Sequence, residues 1–119
     1  MEHFTTSTKR YKTTRMIRLL KKLFSKAPET DYAGLLANGA VIVDVRTTGE
    51  YASGHLKRSI NIPLNTLGTQ ISKLKKDKAI ITCCASGMRS ASARSMLLSK
   101  GFNEVYNGGS WQRLKKYEQ

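Results

Sequence analysis

Apolar side chains along this chain fall into short continuous runs separated by stretches of helical spacing, the rhythm of strands and helices in alternation. Ala40-Val41-Ile42-Val43-Asp44-Val45 and Ala79-Ile80-Ile81-Thr82-Cys83 are almost wholly apolar, as strands covered on both faces of a parallel sheet must be. Val105-Tyr106 is a third, shorter strand ahead of Asn107-Gly108-Gly109. Between them the pattern predicts helices. Asp31 to Ala37 is ended by Asn38-Gly39, and a helical turn from Thr48 to Ser53 is closed by Gly54. Leu64 to Lys75 follows Pro63 with Leu67, Ile71 and Leu74 at helical spacing. Arg89 to Lys100, rich in Ala and Ser, stops at Gly101, and Trp111 to Tyr117 closes the chain. No segment repeats. One parallel-sheet α/β domain over residues 29–119 is expected.

Ahead of it lies a different texture. Residues 1–12 are polar and lack periodicity, which predicts a tail. From Thr13 to Lys26, Met16, Ile17, Leu19, Leu20, Leu23 and Phe24 share one arc of a helix. Arg15, Arg18, Lys21, Lys22 and Lys26 fill the other side, and Pro28 stops the helix. Residues 1–28 thus form a basic leader. Its apolar arc serves packing or self-association, the preferred reading; its basic side offers contact with an anionic membrane surface or a protein partner. Met16 is a second possible start.

Charge sharpens this picture. The 119 residues carry 21 Lys and Arg against 8 Asp and Glu, and residues 1–27 hold eight of the bases with one acid. A polyanion meets that end first. No apolar run reaches the roughly 20 residues that span a bilayer. The two cysteines, Cys83 and Cys84, are adjacent. Their Cα atoms are about 3.8 Å apart, under the usual disulfide range of about 4.4–6.8 Å, so a reducing, cytoplasmic setting is expected.

Cys83-Cys84-Ala85-Ser86-Gly87-Met88-Arg89-Ser90 joins a buried strand to a helix. Ligands of open parallel sheets bind at that end of the strands. A short loop curling into a helix start turns successive N–H groups inward, and a cysteine at its mouth is held toward the thiolate. Gly87 gives the ring its backbone freedom, and Arg89 brings a cation able to fork onto an oxyanion.

The segment Cys84-Ala85-Ser86-Gly87-Met88-Arg89 resembles the Cys-x-x-Gly-x-Arg loop of the rhodanese (thiosulfate sulfurtransferase) family. Asp44-Val45-Arg46, Glu50-Tyr51, Gly54-His55-Leu56 and Asn61-Ile62-Pro63 resemble its N-terminal signature. Gly101-Phe102, Val105, Gly108-Gly109 and Trp111 resemble its C-terminal one. The resemblance implies a three-layer α/β fold, a five-stranded parallel sheet with helices on both faces. It implies a Cys84 nucleophile that takes a sulfane sulfur from thiosulfate or a protein persulfide and passes it to a thiol or cyanide. Ala85, Ser86, Gly87, Met88 and Arg89 would bind the substrate, with no cofactor and no metal. Two positions depart from the family: Arg58-Ser59 stands where Gly-Ala is usual, and Ala85 where many members have a basic or bulky residue.

Two rivals stand beside this reading. Dual-specificity phosphatases and arsenate reductases use Cys-x5-Arg, a spacing that Cys83 and Arg89 satisfy; Cys83 continues an apolar strand, so Cys84 is preferred. A non-catalytic docking module is the other. Asp44 and Arg46 either pair to fix a turn or line the pocket mouth, while Glu50 and His55 are expected to orient the loop backbone. Ser90 offers a hydroxyl to substrate or to the helix start. Lys73, Lys75, Lys76 and Lys78 read as a solvated face, Trp111 and Phe102 as core, and direct nucleic-acid binding is not expected. The sulfur-transfer reading needs two things of the ring: inward amides, and a sulfur that solvent reaches.

Overall fold

The structure, a computed structural model, describes residues 29–118; the predicted tail and the basic amphipathic helix 13–26 lie outside the described residues. Strands β1 (Val41–Asp44), β2 (Ser59–Asn61), β3 (Ile80–Cys84) and β4 (Val105–Ser110) form one parallel sheet in the order β2-β1-β3-β4. Among the described residues the sheet has four strands, not the expected five. The Asp31 carboxylate accepts a hydrogen bond from the Gly34 amide and caps a helix that starts at Tyr32, which leaves no extended segment between residue 31 and β1.

Helices α1 (Tyr32–Ala37), α2 (Thr48–Ser53), α3 (Leu64–Leu67) and α4 (Met88–Ser99) cover the sheet, with 3-10 turns at Ile71–Lys73 and Trp111–Tyr117. Two apolar clusters record the two faces. One joins Val43, Val45, Ile80 and Cys84 to Leu67 of α3 and to Ala93 and Leu97 of α4. The other joins Ile42, Ile81 and Cys83 to Leu36 of α1 and to Leu114. Strand residues alternate between faces, so the adjacent cysteines enter different cores. On α4 the buried residues Ser90, Ala93 and Leu97 stand three and four apart, one stripe turned to the sheet.

Three elements differ from the pattern. The expected Leu64–Lys75 helix stops at Leu67 and resumes as a single 3-10 turn. Thr66 and Thr69 give their hydroxyls to the carbonyls of Pro63 and Thr66, competing with the helix's own bonds beside Gly68. Leu67 and Leu74 are nonetheless buried. Strand β4 runs on through Gly108-Gly109 to Ser110, with a register shift opposite β3 between Thr82 and Cys84. The closing segment is 3-10, not α.

Gly108 permits that close pairing. A β-carbon there would stand 2.9 Å from the Thr82 carbonyl oxygen and equally near Ile81 and Leu114. Gly108→Ala is expected to lower stability by about 1–3 kcal/mol through overpacking. Denaturant unfolding checks this, and an unchanged midpoint contradicts it.

Candidate active site

The chain leaves β1 first for β2 on one side and later for β3 on the other, so the order reverses between β1 and β3. Their carboxyl ends meet there, Asp44 opposite Cys83, at the position where open α/β sheets bind ligands. From that end Cys84 begins the loop that runs into α4. Gly87 caps α4 with φ +106°, a left-handed backbone that glycine takes without steric cost. The turn brings the Gly87 amide to 2.9 Å from Cys84 Sγ.

The two sulfurs differ. Burial pushes the Cys83 thiol up to about 12, and the nearby Asp44 charge adds to it. Burial also pushes Cys84 up, but hydrogen bonds from Ser90 and the amides of Ser90, Gly87 and Ser86 outweigh it and hold Cys84 below the usual thiol range. Of the two, Cys84 is the one suited to carry charge.

The profile of the rhodanese-like domain family matches residues 29–116. The chain belongs to that family. Over 84 residues it is 32% identical to "Thiosulfate sulfurtransferase GlpE" of Pseudomonas savastanoi pv. phaseolicola, covering 71% of this chain and 79% of that protein. Among solved structures it is similar to the reduced CoADR-RHD of Bacillus anthracis, with TM-score 0.61 and 34% identity over 73% of this chain and 15% of that one. It is also similar to a rhodanese with anions from E. coli, with TM-score 0.60 and 27% identity over 63% and 91%.

In this rhodanese-like domain the ring is closed from above. Cys84 is 0% exposed, so in this conformation the sulfur does not reach solvent, contrary to what the sulfur-transfer reading needs. Ala85, Ser86 and Met88 of the same loop are exposed, Met88 at 79%.

Arg89 does not face an open cradle. Its guanidinium forks onto Glu50, with Nη1–Oε1 at 2.7 Å and Nη2–Oε2 at 3.0 Å. Glu50 also completes a capping box with Thr47 at the start of α2. The Arg89 bond, with the Thr47 amide after it, pulls the Glu50 carboxyl from its ordinary 4.5 to about 2. A carboxylate lowered on folding adds stability that is complete above its ordinary value and lost as pH falls through the folded one. The bridge is thus expected to stay closed above about pH 4.5 and to open only near pH 2. The Glu50 side-chain carbon shift, followed against pH by NMR, checks this; an ordinary glutamate midpoint contradicts it.

The supporting residues take structural posts. Asp44 and Arg46 are both buried and pair at 2.8 Å, and the Asp44 carboxylate also accepts the Arg46 amide at 3.0 Å. Arg46 donates onward to the carbonyls of Gly54 and Glu50, tying α2 to β1. They fix the turn and do not line a mouth. The His55 Nδ1 contacts the Tyr51 carbonyl at 2.7 Å, and the ring stacks on Tyr51. Neither Glu50 nor His55 bonds the loop backbone, contrary to expectation. Arg58 answers the α1 carboxyl end through the Leu36 carbonyl. Phe102 is core, whereas Trp111 is half-buried under Arg46. Ser90 is buried beside the sulfur, 3.4 Å from Sγ. Sequence reading missed Thr82, whose hydroxyl donates to the Ser90 carbonyl at 2.8 Å, and Asn107, which touches both Ser90 and Gly87. The one sign of Asn107 was its place beside the paired glycines.

Proposed function

We propose that this rhodanese-like domain is a sulfurtransferase working through a Cys84 persulfide. The observation that carries the reading is the Gly87 amide at 2.9 Å from Cys84 Sγ, on a six-residue ring at the carboxyl end of a central strand. The named activity of its relatives, thiosulfate sulfurtransferase, supports it. With the loop lifted, the Cys84 thiolate attacks the outer sulfur of thiosulfate or of a persulfide. The donor's S–S bond breaks, and sulfite or a thiolate leaves with the electron pair. The new sulfur remains on Cys84 as an anion under the inward amides. A thiolate or cyanide then attacks that outer sulfur and frees Cys84. No net oxidation occurs and no cofactor is called for.

Burial of Cys83 in the opposite core weighs against the phosphatase-like reading. A pure docking module would have no use for an amide donated to a thiol. The Glu50 fork on Arg89 bears on the donor: a paired guanidinium holds a dianion less well. Arg113, exposed beside Gly109, has no carboxylate partner among the described residues. Glu50→Gln is expected to lower KM for thiosulfate by up to about fivefold, the scale of an exposed ion pair; a raised KM contradicts this.

The test is steady-state kinetics with thiosulfate and cyanide varied together. Parallel double-reciprocal lines are expected for two half-reactions through one covalent intermediate. Intersecting lines, or no thiocyanate with thiosulfate or an alkyl persulfide as donor, overturn the proposal.

A further inference from the structure

Asn107 stands on β4 opposite Thr82, and its side chain has three partners. Two of them fix its orientation. The Gly109 amide can only donate, so the atom 3.0 Å from it is the carbonyl oxygen Oδ1. The Gly87 carbonyl can only accept, so the atom 3.2 Å from it is the amide nitrogen Nδ2. The third partner, Ser90 Oγ, lies 2.6 Å from Oδ1. Two oxygens that close need a proton between them, and only the serine has one to give.

That assignment settles what Ser90 shows to the sulfur. Its oxygen is 3.4 Å from Cys84 Sγ and wholly buried, and its single proton is committed to Asn107. A lone pair therefore faces Sγ. In this rotamer it accepts the S–H of a thiol, and the Ser90 hydrogen bond that favours a thiolate forms once the hydroxyl turns to Sγ. The support that Ser90 gives a charged sulfur is conditional on its hydroxyl turning away from Asn107.

We propose that Asn107 is a positioning residue that competes with Cys84 for the Ser90 proton, its carbonyl end taking that proton while the sulfur is a thiol and its amide end holding Gly87 over the sulfur. Its role in turnover rests on the sulfurtransferase reading; its effect on the thiol does not. When the sulfur ionises, the thiol proton leaves to solvent and the Ser90 hydroxyl rotates from Oδ1 to Sγ. The amide clamp on the Gly87 carbonyl also restrains the loop that covers Cys84, so releasing it favours access. The charged and titratable groups around the sulfur are Cys83 on its own strand, Asp44 at the end of β1, Arg46 in the turn after it, Arg89 on α4 and Glu50 on α2. All except Cys83 are paired, and Cys83 stays protonated well above neutral pH.

Alkylation of the full chain by iodoacetamide, followed against pH with peptide mass mapping to separate Cys84 from Cys83, tests this. Asn107→Ala is expected to lower the Cys84 midpoint by about one pH unit, the scale of one hydrogen bond gained by a charged group. Ser90→Ala alone is expected to leave the midpoint nearly unmoved. The same change added to Asn107→Ala is expected to raise it again by about one unit. An Asn107→Ala midpoint that is unchanged or higher overturns the proposal. So does a Ser90→Ala midpoint about one unit above wild type, because Ser90 would then already donate to the sulfur. If circular dichroism shows that Asn107→Ala does not fold, the Ser90→Ala result decides alone. A chain that transfers no sulfur yet gives the expected midpoints refutes the sulfurtransferase reading and leaves Asn107 its role.

Discussion

Cys84→Ser is expected to lose sulfur transfer by roughly 10³-fold or more, while Cys83→Ala keeps most of it. Removing a nucleophile deletes the covalent route and leaves only what binding and the amide ring supply. The contrast between two neighbours follows from the pleat. Strand β3 turns Cys83 into the core beneath α1 and Cys84 toward the loop and α4. Cys83→Ala deletes one buried sulfur and is expected to cost stability alone. Steady-state rates of thiocyanate formation for the two variants check this. Loss in the Cys83 variant with activity kept in Cys84→Ser would reverse the assignment.

Asp44→Ala is expected to be the most destabilising change in the domain, by about 3–5 kcal/mol. Asp44 is 0% and Arg46 4% exposed, and the carboxylate accepts the Arg46 amide, Nε and Nη2 at 2.8–3.0 Å. Without it a buried guanidinium keeps the carbonyls of Gly54 and Glu50 and the Trp111 ring, but no counter-charge. For a domain of this size the loss corresponds to a fall in Tm on the order of 10–40 °C. Replacing both partners, Asp44→Leu with Arg46→Met, is expected to cost less than Asp44→Ala alone, because no uncompensated charge is left. Thermal melts of the single and double variants check both statements. A single variant within about 1 kcal/mol of wild type would mean that water reaches Arg46.

Much of this was legible in the chain. The apolar runs at 40–45 and 79–83 are β1 and β3, because strands covered on both faces have no polar side to show. The loop was legible because a strand, a cysteine, a glycine and a helix start follow one another in a fixed short order. Strand β2 was not. Ser59-Ile60-Asn61 is an edge strand with one apolar residue, and that residue is 39% exposed, so neither alternation nor a run marks it. Glu50 and Arg89 stand 39 positions apart, and only the packing of α2 beside α4's start makes them partners. The sequence showed a cation for the substrate; the fold shows a cation already held by a carboxylate. Likewise, the Gly87 carbonyl of the loop accepts from Asn107, 20 positions away, which local pattern cannot display.

The most direct measurement is intact mass spectrometry of the chain after incubation with thiosulfate or an alkyl persulfide and removal of the donor. Wild type and Cys83→Ala are expected to gain one sulfur atom, discharged by cyanide, and Cys84→Ala none. A sulfur retained on Cys84→Ala, or no gain on wild type with either donor, would contradict the account.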